Sequence, residues 1–356
     1  MNGIFQAPCE ATMKLLIASL ERNLLPDMVI RRLIRLFIEA RLRHVSRPTI
    51  ELQRSQLIQF ANSLKEMPIS MHTGKPEADV YELPTTFFQI ACSCCYFEHK
   101  SSTLADAENA MLELYCKRAQ IKDGLTILDV GCGWGSFILY AATKYRNCKV
   151  TGLTDSAKQK QFIDDRSRQL HLKNVEVIVG DVSIYETEAT YDRLISVEMF
   201  EYIKNFKDLL KKLSKWMKHD GLLFVEHYGH KNIAHHMEGI LDEYWISKYD
   251  WLNQTVFSAG GTWLSMDLLL YFQEDVTVVD HWLVNGMHLK KTGDAWLKRM
   301  DNNWASMKQI METTYGKDEA VKWTVYYRTF FMFISETYGY NNGEEYLLAH
   351  YLFKKK

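Results

Sequence analysis

Short apolar runs alternate with amphipathic stretches of helical length from about residue 104 onward. The apolar runs at residues 126–130, 149–153, 175–179, 193–198 and 222–226 predict five β-strands. Helical periodicity between them predicts helices over residues 105–120, 137–145, 156–170 and 205–217. This alternation is typical of an α/β fold with a parallel, doubly wound sheet. Two later apolar runs, at residues 276–279 and 347–353, predict strands that close the sheet.

The N-terminal part of the chain has a different pattern, in which apolar side chains recur at helical spacing. Up to residue 66, apolar positions such as Ile30 are interrupted by basic ones such as Arg31 and Arg35. A basic amphipathic helix can lie on a membrane or pack against its own domain or a partner subunit, and we favour packing. Residues 67–80 contain two prolines and a glycine, which indicates a linker.

Composition narrows the class of protein. The chain has 356 residues, of which 47% are hydrophobic and 13% aromatic, so it is globular, and its aromatic excess after residue 240 hints at an aromatic pocket. A net charge of −1 without a basic stripe argues against nucleic acid and anionic membranes as partners. Seven cysteines do not form a disulfide framework, and we see no signal-peptide pattern or apolar run of about 18 residues. We therefore expect a soluble, cytoplasmic protein.

A glycine-rich turn stands where the first predicted strand meets its helix. Residues 127–135 read Ile-Leu-Asp-Val-Gly-Cys-Gly-Trp-Gly, with Asp129 ahead of Gly131, Gly133 and Gly135. Glycines let the backbone approach a ligand, and the helix N-terminus offers free N–H groups. The spacing G-x-G-x-G differs from the dinucleotide pattern G-x-G-x-x-G, and the carboxylate suits a cofactor's amino group but repels pyrophosphate. This turn predicts S-adenosylmethionine as the cofactor.

Two further features follow at the ends of the next strands. Thr154, Asp155 and Gln159 stand after the second strand, where polar groups can accept hydrogen bonds from ribose hydroxyls. Asp181 and Val182 follow the third strand, where a carboxylate can meet the adenine amino group. Each feature alone could be an ordinary turn or helix cap. Together, and in order, they predict a nucleotide-type ligand.

With these motifs in place, the chain resembles the plant coclaurine-type alkaloid N-methyltransferases, which are similar to cyclopropane fatty acid synthases. The likeness extends from about residue 80 to 356. It is carried by Tyr81-Glu82-Leu83-Pro84, Ser93-Cys94-Cys95-Tyr96-Phe97, Glu113-Leu114-Tyr115-Cys116-Lys117-Arg118, Tyr271-Phe272-Gln273, Val279-Asp280-His281-Trp282 and Lys322-Trp323-Thr324. It implies methyl transfer from S-adenosylmethionine, leaving S-adenosylhomocysteine, to a small aromatic amine. It also implies that Ser93 and Tyr96 lie over the cofactor.

The resemblance implies a class I methyltransferase fold, Rossmann-like, with a doubly wound, mostly parallel, seven-stranded sheet. We accordingly predict a helical extension over residues 1–66 and a linker and lid segment over residues 67–103. The methyltransferase domain then covers residues 104–356, with substrate-cap insertions at about 230–270 and 288–340. A homodimer is compatible with this organisation.

The predicted catalytic segment follows the fourth strand and reads Glu198-Met199-Phe200-Glu201-Tyr202. Carboxylates here can attract an alkylammonium, orient it and accept its proton. Members of the family resemble this segment but typically read Glu-x-x-Glu-His, with the histidine helping to deprotonate the amine. A histidine titrates near neutral pH, whereas an unperturbed tyrosine, with a pKa of about 10, is chiefly a hydrogen-bond donor.

Three interpretations of Tyr202 follow, in order of preference. Glu201 acts as the base while Tyr202 orients the nitrogen; the pocket has shifted toward another amine with another base; or transfer is weak or lost, which would leave a cofactor-binding protein. A fourth possibility concerns His227, at the end of the fifth strand. In cyclopropane synthases a cysteine, a glutamate and a histidine matching Cys94, Glu201 and His227 hold a bicarbonate base, so a lipid methyltransferase is a further alternative.

The predicted substrate pocket combines an acidic residue with aromatic ones. Its residues are Glu82, Phe257, Trp263, Trp323, Tyr327 and Phe331. An aromatic face stabilises a cationic amine by roughly 0.5–2 kcal/mol. Relatives resemble Phe-x-Gly-Gly-Thr-Met-Pro-Ser where this chain has Trp263, so the pocket shape should differ. The alternative is that these aromatics belong to the core. Clustered His and Cys residues lack a standard zinc spacing, so we predict no metal.

Overall fold

The computed structural model describes residues 6–71, 93–237 and 260–356 of the chain. Its helices are α1 (Gln6–Glu21), α2 (Asp27–Val45), α3 (Ile50–Leu64), α4 (Leu104–Arg118), α5 (Ser136–Lys144), α6 (Ala157–Gln169), α7 (Phe206–Trp216), α8 (Met287–Asn302), α9 (Trp304–Tyr315) and α10 (Ala320–Gly339). Its strands are β1 (Thr126–Val130), β2 (Lys149–Thr154), β3 (Val175–Val179), β4 (Tyr191–Val197), β5 (Met217–His230), β6 (His235–His236), β7 (Thr262–Ser265), β8 (Val276–Val284) and β9 (Tyr346–Lys355). A short 3₁₀ turn, Phe200–Tyr202, follows β4.

One sheet organises the domain. Its parallel part has the order β3-β2-β1-β4-β5, and β9 pairs antiparallel with both β5 and β8. These seven strands are the predicted mostly parallel, doubly wound sheet, which is confirmed. The predicted count of seven is too low for the described residues, because the short strands β6 and β7 extend the sheet to nine. Both lie beside the end of β5, in a region where the hydrophobic pattern is irregular.

Strand β5 is much longer than the predicted range of residues 222–226. The pattern of its side chains becomes polar after Val225, which suggested that the strand ended there. The structure continues it to His230, because antiparallel pairing with β9 runs without interruption from Leu222 to His230. Long-range pairing thus overrides local hydrophobicity here.

The N-terminal helix α2 packs against helix α10 through partly buried ion pairs. Arg328 of α10 donates from its two terminal nitrogens to the carboxylate of Asp27, at 2.6 and 2.8 Å. Arg31 donates to Glu336 at 2.7 Å, and Arg35 contacts the same carboxylate. Arg31 and Arg35 of this basic helix therefore bind its own domain, as we preferred. No helix within residues 6–71, 93–237 and 260–356 is long and apolar enough to cross a membrane.

Candidate functional site

A cavity of about 350 Å³ opens at the carboxyl ends of the parallel strands. Ligands bind at this edge in doubly wound folds, because the loops that leave the strands converge there. The predicted residues that line the cavity are Ser93, Asp129, Gly131, Gly133, Thr154, Asp155, Gln159, Asp181, Val182, Glu198, Tyr202, Trp263, Tyr327 and Phe331. The structure thus brings the predicted cofactor segments, part of the acidic segment and part of the aromatic set to one place.

The glycine turn after β1 is close-packed against its surroundings. A Cβ atom on Gly131, which has φ +79°, would lie 2.6 Å from Cγ of Met199. Gly135 caps helix α5 with φ +83°, and a Cβ atom there would lie 2.7 Å from Cγ1 of Ile163. Gly135 does not line the cavity, so its role is to fit the turn against helix α6. Gly133 does line the cavity.

Asp129 places a carboxyl group at the floor of this cavity. Its side chain is 3% exposed, and burial raises its pKa to about 8. Burial alone accounts for this shift, so among the described residues no cation holds the carboxylate charged. An ammonium group of a ligand would supply that cation and lower the pKa of Asp129 again. The residues present therefore fit a cofactor with a primary amine at this end.

Three further predicted cofactor residues, Thr154, Gln159 and Asp181, are held by local hydrogen bonds. The hydroxyl of Thr154 donates to the side-chain oxygen of Gln159, which fixes both side chains at the end of β2. One oxygen of Asp181 accepts hydrogen bonds from the amide and the hydroxyl of Ser183, at 2.8 and 2.6 Å. Its carboxyl group is thereby oriented beside Val182 at the cavity wall.

Tyr96 is placed differently from its prediction. Its ring stacks on the ring of His288, with centroids 4.4 Å apart, and it does not line the cavity. The neighbouring Ser93 and Cys94 do line it. This segment therefore contacts the cavity through its first two residues, while Tyr96 attaches the segment to helix α8.

Glu198 is the acidic side chain of the predicted catalytic segment that reaches the cavity. Its φ of +51° is unusual for a residue with a side chain, and such strain is often found at functional sites. Oε1 accepts a 3.0 Å hydrogen bond from the amide of Cys94. Burial, followed by repulsion from Glu226, raises the pKa of Glu198 to about 8. A carboxyl group with such a pKa can exchange protons near neutral pH.

Glu201 and Tyr202 are separated by their surroundings. Glu201 is fully buried, and its Oε1 accepts a 2.8 Å hydrogen bond from the amide of Tyr228, whereas Tyr202 lines the cavity. Burial raises the pKa of Glu201 well above its ordinary value. The structure thus gives Glu201 a supporting position behind the lining.

The structure places His227 away from the cavity. Alternate residues of a strand face opposite sides of the sheet, and Tyr228 faces the cavity. The ring of His227 stacks on Tyr351, with centroids 5.8 Å apart, and burial lowers its pKa to about 3. Cys94 lines the cavity whereas His227 is on the other face of β5, so the residues that would match a bicarbonate site do not converge.

Aromatic side chains form the wall opposite the glycine turn. Several of them were not predicted from sequence, namely Tyr115, Tyr228, Trp296 and Tyr338. Tyr327, Phe331, Ile334 and Tyr338 recur at helical spacing on α10, a signal that could have identified Tyr338. The prediction for Trp323 differs from the structure, because its ring stacks on Tyr315 at 4.1 Å, outside the lining.

Two predicted substrate residues, Glu82 and Phe257, lie outside the described residues. Trp263 lies in the cavity wall, where the guanidinium of Arg41 from α2 stands 5.1 Å from its ring centre. No group of three or more His, Cys, Asp or Glu side chains in the described ranges is arranged to hold a metal ion.

Comparison with known proteins gives consistent results. The family model for mycolic acid cyclopropane synthetases matches residues 78–334. The (S)-coclaurine N-methyltransferase of Thalictrum flavum subsp. glaucum is 44% identical, covering 100% of this chain and 99% of that protein. The pavine N-methyltransferase of the same plant is 44% identical over 96% of both chains. The crystal structure of coclaurine N-methyltransferase bound to N-methylheliamine and S-adenosylhomocysteine superposes with a TM-score of 0.91 and 43% identity, covering 97% of this chain and 100% of that one.

Proposed function

Because this chain belongs to the plant coclaurine-type N-methyltransferases within the mycolic acid cyclopropane synthetase family, it is an S-adenosylmethionine-dependent methyltransferase, and we propose that its acceptor is the amine nitrogen of a small aromatic alkaloid. The observation that carries the proposal is the cavity itself. One end has the buried carboxyl group of Asp129 beside a glycine turn, and the other has Glu198 facing aromatic rings.

The cofactor end has a donor set that suits S-adenosylmethionine. Asp129 would hold the amino group of its methionine part, Asp155 and Gln159 its ribose, and Asp181 and Val182 its adenine. When bound, S-adenosylmethionine supplies an electrophilic methyl group on a sulfonium. The glycine turn can pack closely here only without side chains, because Cβ atoms at Gly131 and Gly135 would meet Met199 and Ile163.

At the acceptor end, Glu198 has the position and proton affinity of a base for an ammonium group. The ammonium proton passes to the carboxylate of Glu198, and the freed lone pair on nitrogen becomes the nucleophile. Glu201 supports this arrangement from behind, and Tyr202 orients the nitrogen from the cavity wall. The aromatic rings hold the substrate and stabilise its cationic form.

The experiment is an assay of the purified enzyme with labelled S-adenosylmethionine against a panel of benzylisoquinoline and phenylalkyl amines. We expect label in at least one amine. If wild-type protein binds S-adenosylhomocysteine but labels none of them, while Tyr202→His does, then Tyr202 marks weakened catalysis. If both are inactive on amines, the proposed substrate class is wrong.

The lipid alternative is tested in the same assay with vesicles of unsaturated phospholipid. The position of His227 on the far face of β5 counts against it, because that residue was the predicted bicarbonate ligand. Label found only in lipid would overturn the amine proposal.

The cytoplasmic location and the homodimer stay predictions from sequence. A fluorescent fusion observed in plant cells and light scattering of the purified protein would test them. A membrane-associated signal or a monomer at micromolar concentration would contradict them.

A further inference from the structure

Another carboxyl group, that of Glu226, lies on the same face of β5 as Tyr228. Residues two apart on a strand share a face, so Glu226 is on the cavity side and His227 is on the other. Glu226 is fully buried. Buried carboxyl groups are rare without a partner, because losing hydration disfavours the charged form. The roles proposed for the glycine turn and for the Glu198–Tyr202 segment do not account for a buried carboxyl group at position 226.

Its partner is the imidazole of His350 on β9, the strand paired with β5. Nε2 of His350 lies 2.6 Å from Oε2 of Glu226. On the other side of the ring, a terminal nitrogen of Arg118 lies 2.7 Å from Nδ1. A guanidinium can only donate, so Nδ1 must accept and Nε2 must carry the ring proton. The protonated Nε2 of His350 therefore faces Oε2 of Glu226 at contact distance, and the tautomer is set by Arg118.

The imidazole of His350 is neutral. Burial, followed by repulsion from Arg118, lowers the pKa of His350 well below its ordinary value. Among Arg118, His350 and Glu226, the positive charge therefore stays on Arg118. Its guanidinium is half-buried and stands 4.9 Å from the ring centre of Trp282. Arg118 acts on Glu226 through a neutral ring that is polarised toward the carboxylate.

The other titratable groups around Glu226 are acids or phenols. Tyr115 of α4 lines the cavity, and its ring lies 5.5 Å from that of His350. Glu198 and Glu201 approach from the segment after β4 and interact with Glu226 by charge. Among the described groups named here, the guanidinium of Arg118 is the single cation. Burial raises the pKa of Glu226 to about 8, while Tyr115 and the charge of Arg118 oppose that shift, so Glu226 is the carboxyl group on which this cation acts.

We propose that Glu226 is a positioning residue of the methyl-transfer site, where Arg118 acts through His350 to favour its anion, so that its charge strengthens the hold of Glu198 on the substrate proton. The inference rests on the proposed function, in which Glu198 receives that proton. An alkylammonium has a pKa of about 10, so a carboxylate with an ordinary pKa would be a poor acceptor. A neighbouring negative charge raises the pKa of Glu198, which reduces the difference between the pKa of the ammonium and that of its acceptor.

The test is the pH dependence of kcat/KM for Glu226→Gln and wild-type enzyme at saturating S-adenosylmethionine. Two acceptor amines of different basicity are used, because a shift common to both belongs to the enzyme. Removing the like charge lowers the pKa of Glu198, so the acidic limb should move down by about one pH unit. Because Glu198 is then a weaker base, the plateau of kcat/KM above the acidic limb should fall roughly three- to tenfold.

A second glutamate–histidine pair provides a matched control. Oε1 of Glu345, just before β9, lies 3.0 Å from Nε2 of His230 on β5, and neither residue lines the cavity. Glu345→Gln therefore removes a similar pair from the same two strands. Its acidic limb should coincide with that of the wild type.

Two variants of His350 keep the proposal testable if Glu226→Gln does not fold. The amide of His350→Gln can accept from Arg118 and donate to Glu226, so its pH profile should stay close to that of the wild type. His350→Leu disconnects Arg118 from Glu226, and its acidic limb should move down as in Glu226→Gln. Circular dichroism and affinity for S-adenosylhomocysteine identify variants that are folded.

Specific outcomes would overturn the inference. A uniform loss of kcat/KM in Glu226→Gln without a moved limb would show a merely structural role, and so would equal profiles for the two His350 variants. Wild-type activity on none of the amines would overturn the proposed function and this inference together. Activity with an unmoved limb would overturn the inference alone.

Discussion

The backbone amide of Tyr228 donates a 2.8 Å hydrogen bond to Oε1 of Glu201, and this bond separates the roles of two glutamates that are three residues apart. Glu201 is fully buried and bound to strand β5, whereas Glu198 lines the cavity. The 3₁₀ turn at Phe200–Tyr202 produces this separation, because it directs Glu201 away from the loop that carries Glu198. Glu198 is then the carboxyl group in position to meet a substrate amine.

The first prediction concerns Glu198→Gln. Removing the base should lower kcat by about 10²- to 10⁴-fold, because an amide cannot take the ammonium proton. Affinity for S-adenosylhomocysteine, measured by calorimetry, should change less than about threefold, since the side chain lies at the acceptor end. A variant with full turnover would show that another group is the base.

The second prediction concerns stability at Glu201. Glu201→Ala leaves the buried amide of Tyr228 without its acceptor and should cost about 1–3 kcal/mol in the free energy of unfolding. Glu201→Gln keeps an acceptor oxygen of similar shape and should cost less than about 1 kcal/mol. Denaturant unfolding of both variants measures the difference. Equal losses would mean that the charge, and not the hydrogen bond, matters at this position.

The cofactor end could be predicted from sequence because its information is local. Asp129 and the glycine turn are adjacent in the chain, and the strand–turn–helix context fixes where they point. The face of β5 could not be predicted so well, since a shift of one residue exchanges the two sides of a strand. His227 was therefore the residue predicted from sequence, while the structure directs Glu226 toward the cavity side.

The acceptor wall illustrates the same limit at longer range. Trp323 and Tyr327 are both aromatic residues of α10, yet one stacks on Tyr315 and the other lines the cavity. Composition and spacing identify aromatic residues on the helix but not the direction of each ring. That direction depends on how α10 packs against α9 and α8, which the sequence does not state.

The third prediction concerns the cofactor carboxylate. Asp129→Asn removes the charge that would meet the cofactor's amino group, and charge-assisted hydrogen bonds contribute about 1.5–3 kcal/mol. The Kd for S-adenosylhomocysteine should rise by about one to two orders of magnitude. Asp123→Asn is the control, because Asp123 binds the surface residue Asn147 and does not line the cavity. An unchanged Kd in Asp129→Asn would contradict the assignment of the amino group to this end.

The fourth prediction compares two glycines of the turn. Gly131→Ala places a Cβ atom 2.6 Å from the side chain of Met199 in addition to the strain of a positive φ. Gly133→Ala, with φ +51°, has no atom within 4 Å of the added carbon. Gly133→Ala should cost about 1 kcal/mol in unfolding free energy from backbone strain, and Gly131→Ala should cost more. Thermal unfolding without cofactor measures both, and a larger loss at Gly133 would contradict the packing argument.

The fifth prediction concerns acid stability at Glu345. Hydrogen bonds from His230 and Lys231 lower the pKa of Glu345 from 4.5 to about 2, although burial opposes the shift. Burial also lowers the pKa of His230, so the imidazole donates as a neutral group and Lys231 is the charged partner. Because the folded protein binds this proton less tightly than the unfolded chain, the carboxylate stabilises the fold above pH 4.5. That contribution is lost as the pH falls through about 2.

Glu345→Gln should therefore lower the unfolding free energy by about 1–2 kcal/mol at pH 7, and the difference should shrink between pH 4.5 and 2. Urea titrations of both proteins across this range provide the measurement, and a difference that does not depend on pH would show that the ionisation of Glu345 is not its source.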